Sequence, residues 1–358
     1  MPAATITPSI DLEALTLVGI KAAAKATDAQ AVTNGLKAGY ESTLGKSPAQ
    51  WTFGERRTTE VQVIDHTAVT NFSTGFEPYD DTALTTGRPA AYGFAISGLA
   101  AKIGQRQIRT YQNAKAFEDW VKRTISNCNG ILQRGWDKRI VAATGAGFAD
   151  WQTFNGFDST TGFFESGAKG SQTNSVGGLS KSTYAYTPGW NNMVVDMANA
   201  MGSNFFQFDT SLSSIRILGA PMDKLFGLGH QNFMDNAKRY LRAYERYTPQ
   251  TGSYDSGVAF EMFGGVKFFL DFYMPTAGAT TISNVISAYI VDASNVPLFW
   301  MPSCKIGDTE LPDGHFGVGS WRQVSGMQDV FVMPMACAGQ VCADLLGTSG
   351  VIRRGNTY

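Results

Sequence analysis

The residues of this chain that could do chemistry are few, and their spacing argues against most of what they could do. A Gly45-Lys46-Ser47 run has the core of a phosphate-binding loop. The full motif needs another Gly five positions before the second, and the loop must follow a strand and open a helix. Position 40 is Tyr, Pro48 follows the Ser, and the preceding segment has a helical pattern; no nucleotide site is expected. No G-x-S-x-G turn presents a nucleophilic Ser. His66, His230 and His315 include no H-x-x-x-H pair, so a metal site would need three separate loops to meet. Cys128, Cys304, Cys337 and Cys342 are scattered without C-x-x-C spacing and read as buried free thiols. Glu261 and Asp271 flank the Gly264-Gly265 turn. Glycoside hydrolysis brings two carboxylates together from separate strands in this way, although acids beside a turn are ordinarily solvated. Arg56-Arg57 and Arg353-Arg354 read as solvated faces or as partners for a neighbour's acids. No residue is assigned as catalytic, cofactor-binding or metal-ligating.

The elements that would position these groups follow from hydrophobic periodicity. Leu12, Leu15 and Val18 step at helical spacing after Ser9 and Asp11, and a second short helix from Asp28 carries Ala31, Val32, Leu36 and Tyr40. Neither has enough large apolar residues to anchor a core, so residues 1–50 read as an arm. Thr59-Glu60-Val61-Gln62-Val63 alternates as a strand does, and Tyr92, Phe94 and Ile96 alternate again beyond the Gly87-Arg88-Pro89 turn. The two runs pair as a long hairpin, which alone is barely stable in water.

A long amphipathic helix is predicted from Asn113 to Thr144. Its apolar stripe is Phe117, Trp120, Val121, Ile125, Cys128, Ile131, Leu132, Trp136 and Ile140, and its polar side includes Asp119, Lys122, Asp137 and Lys138. Gly130 and Gly135 each weaken it by about 1 kcal/mol. Residues 145–189 read as loops and short strands. An α/β unit follows, with a helix along Trp190, Met193, Val194, Met197 and Met201, a strand at Ile215–Leu218, a helix opened by Pro221, and another helix through Ala237, Leu241 and Tyr244. Phe260–Phe263 and Val266–Tyr273 pair across Gly264-Gly265. Strands at 285–292 and 329–335 close the chain.

Composition narrows the function. Of 358 residues, 29 are Lys or Arg and 30 are Asp or Glu, a net charge of −1, which argues against electrostatic capture of nucleic acid or acidic membrane. Only 16% of residues are charged, against about 25% in an average soluble chain, a composition that fits surfaces covered by other protein. No apolar run is long enough for a transmembrane helix. The N-terminus has no basic start and carries Asp11 and Glu13 where a signal peptide is apolar.

The order of arm, long hairpin, long helix, α/β unit with a Gly-Gly hairpin, and last strand resembles the major capsid proteins of tailed bacteriophages, the HK97-like fold. The resemblance implies an α+β chain with an N-terminal arm at 1–50, an extended loop at 51–110, and a spine helix with peripheral domain at 111–189. It further implies an axial domain at 190–328 and a peripheral return strand with the C-terminus at 329–358; residues 303–328 have no counterpart. The implied function is structural: pentamers and hexamers of this chain in an icosahedral virion shell that encloses double-stranded DNA without reading its sequence. No enzyme activity, cofactor or membrane is expected, and synthesis is expected in the host cytoplasm. Separate scaffolding, portal and decoration proteins are the further partners. The alternatives are an encapsulin-like nanocompartment shell and a carbohydrate-active or sugar-binding protein using Glu261 or Asp271.

Three expectations follow from the resemblance. The hairpin 51–98 serves assembly more than folding, so its replacement by a short linker leaves a folded subunit that builds no shell. The Ala- and Thr-rich arm is unlike the charged scaffolding segment that some members cut away, so the chain is expected to keep its N-terminus. Some members also join a Lys on the extended loop to an Asn of a neighbouring subunit. From Trp51 to Gly98 this sequence has Arg56, Arg57 and Arg88 but no Lys, and Arg stays protonated, so subunits are expected to be held by non-covalent contacts.

Overall fold

The computed structural model describes residues 35–45, 49–50, 56–62, 87–93, 95–104, 114–142, 163–165, 167, 170–183, 190–196, 212–213, 215–216, 219–243, 251–253, 259–271, 273–274, 286–300, 317–318, 322–323 and 330–353. The predicted helix around Leu12–Val18 and the middle of the extended loop, 63–86, lie outside them.

In chain order, helix α1 (Gly35–Leu44) precedes the short β1 (Ala49–Gln50), then β2 (Arg56–Gln62), β3 (Gly87–Gly93), β4 (Ala95–Gly104) and helix α2 (Ala114–Ala142). Next come β5 (Ser175–Val176), β6 (Leu179–Ser180), β7 (Met193–Asp196), a 3-10 turn at Met222–Lys224, β8 (Leu225–Gly229) and helix α3 (Gln231–Ala243). The remaining strands are β9 (Thr251–Ser253), β10 (Ala259–Phe263), β11 (Val266–Leu270), β12 (Ile286–Asp292), β13 (Leu298–Trp300), β14 (Gly317–Val318), β15 (Arg322–Gln323), β16 (Val330–Val341) and β17 (Gly350–Arg353). Two compact units share these elements. One comprises 1–31, 96–135 and 301–338; the other comprises 32–95, 136–300 and 339–358.

The larger unit is built on a seven-stranded mixed sheet in the order β7-β17-β12-β8-β11-β10-β9. Its centre, Leu225-Phe226-Gly227-Leu228-Gly229, is buried along its whole length, because helices cover both faces and successive side chains point to opposite sides. On one face Phe226 meets Tyr40 of α1 edge-on at 4.9 Å between ring centres. On the other, Phe268 lies opposite Gly227 in register and packs on Phe233 of α3 at 5.7 Å. Phe268 fills the space a side chain at 227 would take: a Cβ there would stand 2.3 Å from its ring. Val266, Phe263, Ile290 and Ile352 complete this apolar layer.

Here the structure corrects three expectations. Met193–Asp196, within the apolar stripe read as a helix from Trp190, is strand β7, paired in parallel with β17 from Met193↔Gly350 to Asp196↔Arg353, and Met197 and Met201 lie outside the described residues. Three consecutive apolar residues, Met193-Val194-Val195, fit a strand as well as a helix, and the pairing with β17 decides between them. Ile215 and Arg216 are helical, not strand. Pro221 opens only the 3-10 turn. The Gly-Gly hairpin is as expected: Phe263 pairs with Val266, and Gly264 and Gly265 take φ of +58° and +84°, the left-handed conformation that a two-residue turn of this kind requires.

In the smaller unit, β14 and β15 pair antiparallel with β16, at Val318↔Met335 and Arg322↔Val332. Pro334 falls between the two pairings. Residues 303–328, without a counterpart in the sequence reading, thus supply two short edge strands. Along α2, Val121, Ile125 and Cys128 are buried as the stripe predicts, but Ile131 is 52% exposed. At 100° per residue it falls about 80° from the stripe's centre.

Candidate functional site

Each chemical candidate in the described residues is occupied by a structural task. Gly45 ends α1: its φ is +82° and its N–H donates to Glu41 O at 3.0 Å. A left-handed Gly closing a helix is the reverse of a phosphate loop, which opens one. His230 caps α3, its Nδ1 accepting the Asn232 N–H at 3.1 Å, and burial pushes its imidazole below the ordinary value. His66 and His315 lie outside the described residues. Cys128 and Cys342 are buried and in no disulfide. Among the described residues no cluster of His, Cys, Asp and Glu is suited to a metal, and no helix is long and apolar enough to cross a membrane.

Glu261 and Asp271 do not form a catalytic pair. Glu261 stands opposite Phe268 in the hairpin, so Asp271, three residues further on, projects to the other side of the sheet. Glu261 is ion-paired with Lys238 of α3. Asp271 instead meets Asp137 of α2, a residue that periodicity placed on the helix's polar face. Both carboxyls are buried, at 0% and 1% exposure. Burial first, then the charge of Asp271, holds Asp137 well above the usual carboxylate range. Burial pushes Asp271 up to about 6, against hydrogen bonds from the Tyr273 and Leu36 backbone and from Asp137 that favour its ionised form. Asp137 Oδ1 and Oδ2 and Asp271 Oδ2 have no other donor, and a proton held between two buried carboxyls is the arrangement that relieves both their repulsion and their burial.

A second buried polar cluster was invisible in the sequence. Lys181, just after β6, is completely buried, and its Nζ donates to Phe163 O at 2.6 Å and Asn192 Oδ1 at 2.9 Å. Glu165 Oε1 is 3.8 Å away. Gln172 brackets Asn192, accepting its N–H at 3.1 Å and donating to its C=O at 2.9 Å. Desolvation lowers Lys181 to about 7, with Glu165 opposing the fall. Nothing in the spacing of Glu165, Lys181 and Asn192 signals a cluster, because loop contacts bring them together.

A hairpin is present, but its second strand begins earlier than expected: β3 takes in Gly87-Arg88-Pro89, read as a turn, and pairs antiparallel with β2 from Arg56↔Gly93 to Gln62↔Gly87. Its base is not a free ribbon. Val61, Ala90 and Tyr92 are buried, Tyr92 Oη donates to Ala343 O at 2.7 Å, and Gln340 Nε2 donates to Gly93 O at 2.8 Å. The Ala91 N–H donates to Gly177 O at 2.9 Å, and Tyr92 meets Phe163 edge-on at 6.2 Å. This corrects the expectation that the whole segment 51–98 is dispensable for folding: the base belongs to the core of the larger unit, because Tyr92 needs both an apolar pocket and an acceptor for its hydroxyl.

No protein-family model and no curated protein matches the chain. Solved structures do. The capsid asymmetric unit of Cyanophage A-1(L) matches with a TM-score of 0.60 at 16% identity, over 91% of this chain and 93% of that one. The chain has a capsid-protein fold. The capsid of the native GTA particle matches at a TM-score of 0.54 and 11% identity, over 88% of this chain and 90% of that one, and the capsid of the empty GTA particle does equally. In this chain that fold is an antiparallel hairpin ahead of a 29-residue helix, then a mixed sheet with a Gly-Gly turn.

Proposed function

We propose that this chain is the major capsid protein of a tailed bacteriophage, of the HK97-like type, and that its copies assemble as pentamers and hexamers into an icosahedral shell around double-stranded DNA. The observation that carries the reading is the fold match to a phage capsid chain over 91% of the sequence. In this reading α2 is the spine helix, 1–50 the arm, 51–110 the extended loop, 111–189 the spine helix and peripheral domain, 190–328 the axial domain and 329–358 the peripheral return. The role is structural, without catalysis, and its place is the virion after synthesis in the host cytoplasm. Scaffolding, portal and decoration proteins are separate chains. The net charge of −1 suits a wall that encloses DNA driven in from outside better than one that must attract it.

Gel filtration of the purified protein tests the class of function. A shell protein elutes as very large particles or as capsomers that convert to them. A carbohydrate-active enzyme, the reading that used Glu261 or Asp271, elutes near the 38.6 kDa of one chain at every concentration and salt.

The absence of Lys between Trp51 and Gly98 leads to a second expected result. Mature particles boiled in detergent run as one band near the chain mass, because subunits are joined by burial and hydrogen bonds alone. A ladder of multimers that survives reducing agent contradicts it.

A further inference from the structure

Lys181, Asn192 and Glu165 form a dry, preorganised set inside the larger unit. Phe163, Phe164 and Trp190 beside them are all completely buried. The Asn192 amide is clamped: Nδ2 donates to Glu165 O at 2.9 Å and Met193 O at 3.2 Å, while Oδ1 accepts the Glu165 N–H at 3.0 Å. The Glu165 carboxylate is held by the backbone N–H groups of Asn174 at 2.6 Å and Thr173 at 2.9 Å. With Nζ 2.9 Å from Oδ1 and a C=O bond of about 1.23 Å, the Lys181 nitrogen lies within roughly 4 Å of the Asn192 Cγ carbon.

We propose that Lys181 and Asn192 are joined within one chain by an isopeptide bond between Nζ and Cγ. The Nζ–Cγ bond forms, the Cγ–Nδ2 bond breaks, and Nδ2 leaves as ammonia. The proton that Nζ gives up passes through the Glu165 carboxylate to the departing nitrogen, so atoms and charge balance without oxidant or water. Each requirement has a residue. The amine must be neutral, and desolvation lowers Lys181 to about 7, as it does for other nucleophilic lysines. The carbonyl must be polarised where negative charge develops, and the Glu165 N–H donates to that oxygen. Water must be kept from the amide, and the aromatic walls exclude it.

The bond closes the segment 181–192, of which 184–189 lie outside the described residues, and ties the β5–β6 hairpin to the start of β7. It lies inside one subunit and adds nothing to the covalent connection of subunits, so it does not depend on the shell reading. Covalent closure of this segment limits the unfolded chain as a disulfide does.

Intact-mass measurement of the purified full chain, held at pH 8 so that the amine is mostly neutral, is the test. The expected mass is below the sequence mass by one ammonia. Trypsin then fails to cut after Lys181, leaving 170–216 as one peptide, and further cutting at Tyr184 and Tyr186 gives a branched pair joining Lys181 to Asn192. Lys181→Met and Glu165→Gln are expected to return the full mass. A wild-type chain at its full sequence mass, cut normally after Lys181, overturns the proposal. So does loss of ammonia with 170–181 and 182–216 separable, which indicates a succinimide instead. Both refutations come from the wild type and stand even where a variant fails to fold.

Discussion

Asp137→Asn is expected to raise the stability of the folded chain by on the order of 2–3 kcal/mol at pH 8 and to change it by less than about 0.5 kcal/mol at pH 4. In the native protein Asp137 and Asp271 face one another without solvent. Two buried carboxyls can share one proton, but a second negative charge is opposed by both burial and repulsion. Asp271 is raised to about 6, roughly two units above the value of an unfolded Asp, and each unit corresponds to about 1.4 kcal/mol. A group that binds its proton more tightly when folded contributes stability that is fully present below about pH 4, its unfolded value, and is lost as pH rises through about 6. Asn at 137 donates an N–H to the Asp271 carboxylate at pH 8 and carries no charge to repel it. Guanidinium unfolding of wild type and variant at both pH values, followed by Trp fluorescence, gives the comparison. A variant less stable than wild type at pH 8, or one with the same loss of stability from pH 4 to pH 8, contradicts the shared-proton account.

Tyr92→Ala and replacement of residues 63–86 by a short Gly/Ser linker are expected to have opposite effects. Tyr92 is completely buried and its hydroxyl reaches Ala343 O. Removing it leaves a cavity and an unpaired carbonyl, and aromatic-to-Ala changes in cores cost about 3–5 kcal/mol. The linker keeps β2, β3 and every contact of the hairpin's base. Its product should melt within a degree or two of wild type yet form no closed shell, because it lacks the part of the extended loop that would reach a neighbouring subunit. Thermal melts with particle counts by light scattering separate the two. If the linker variant assembles normally, the extended loop has no part in assembly. If Tyr92→Ala melts like wild type, the base does not anchor the fold.

What could be read from the residues was whatever one element decides alone. The 29-residue helix α2 follows from a long amphipathic stripe, and the β10–β11 hairpin from two glycines between aromatic strands. Helix α3 follows from its periodicity. Where two layers decide together, local pattern misleads. Leu225–Gly229 is a central strand because α1 and α3 cover both of its faces, and two of its five residues are Gly, a poor strand former on its own. Asp137 has a polar residue's place on an amphipathic helix, yet it is buried, as is Val141 outside the stripe, while Lys138 and Arg139 between them stay exposed. Lys181 and Asn192 are eleven residues apart across a stretch with no periodicity. Their meeting depends on Gln172 and Glu165 folding back over them.

The central claim is that copies of this chain build a closed shell, and electron microscopy of the purified protein and of particles from producing cells tests it most directly. The account predicts uniform hollow particles whose reconstruction has icosahedral symmetry, with this fold repeated in five-fold and six-fold clusters. Preparations that contain only separate molecules of about 38.6 kDa across concentration and salt, with no particles containing this chain, would contradict it.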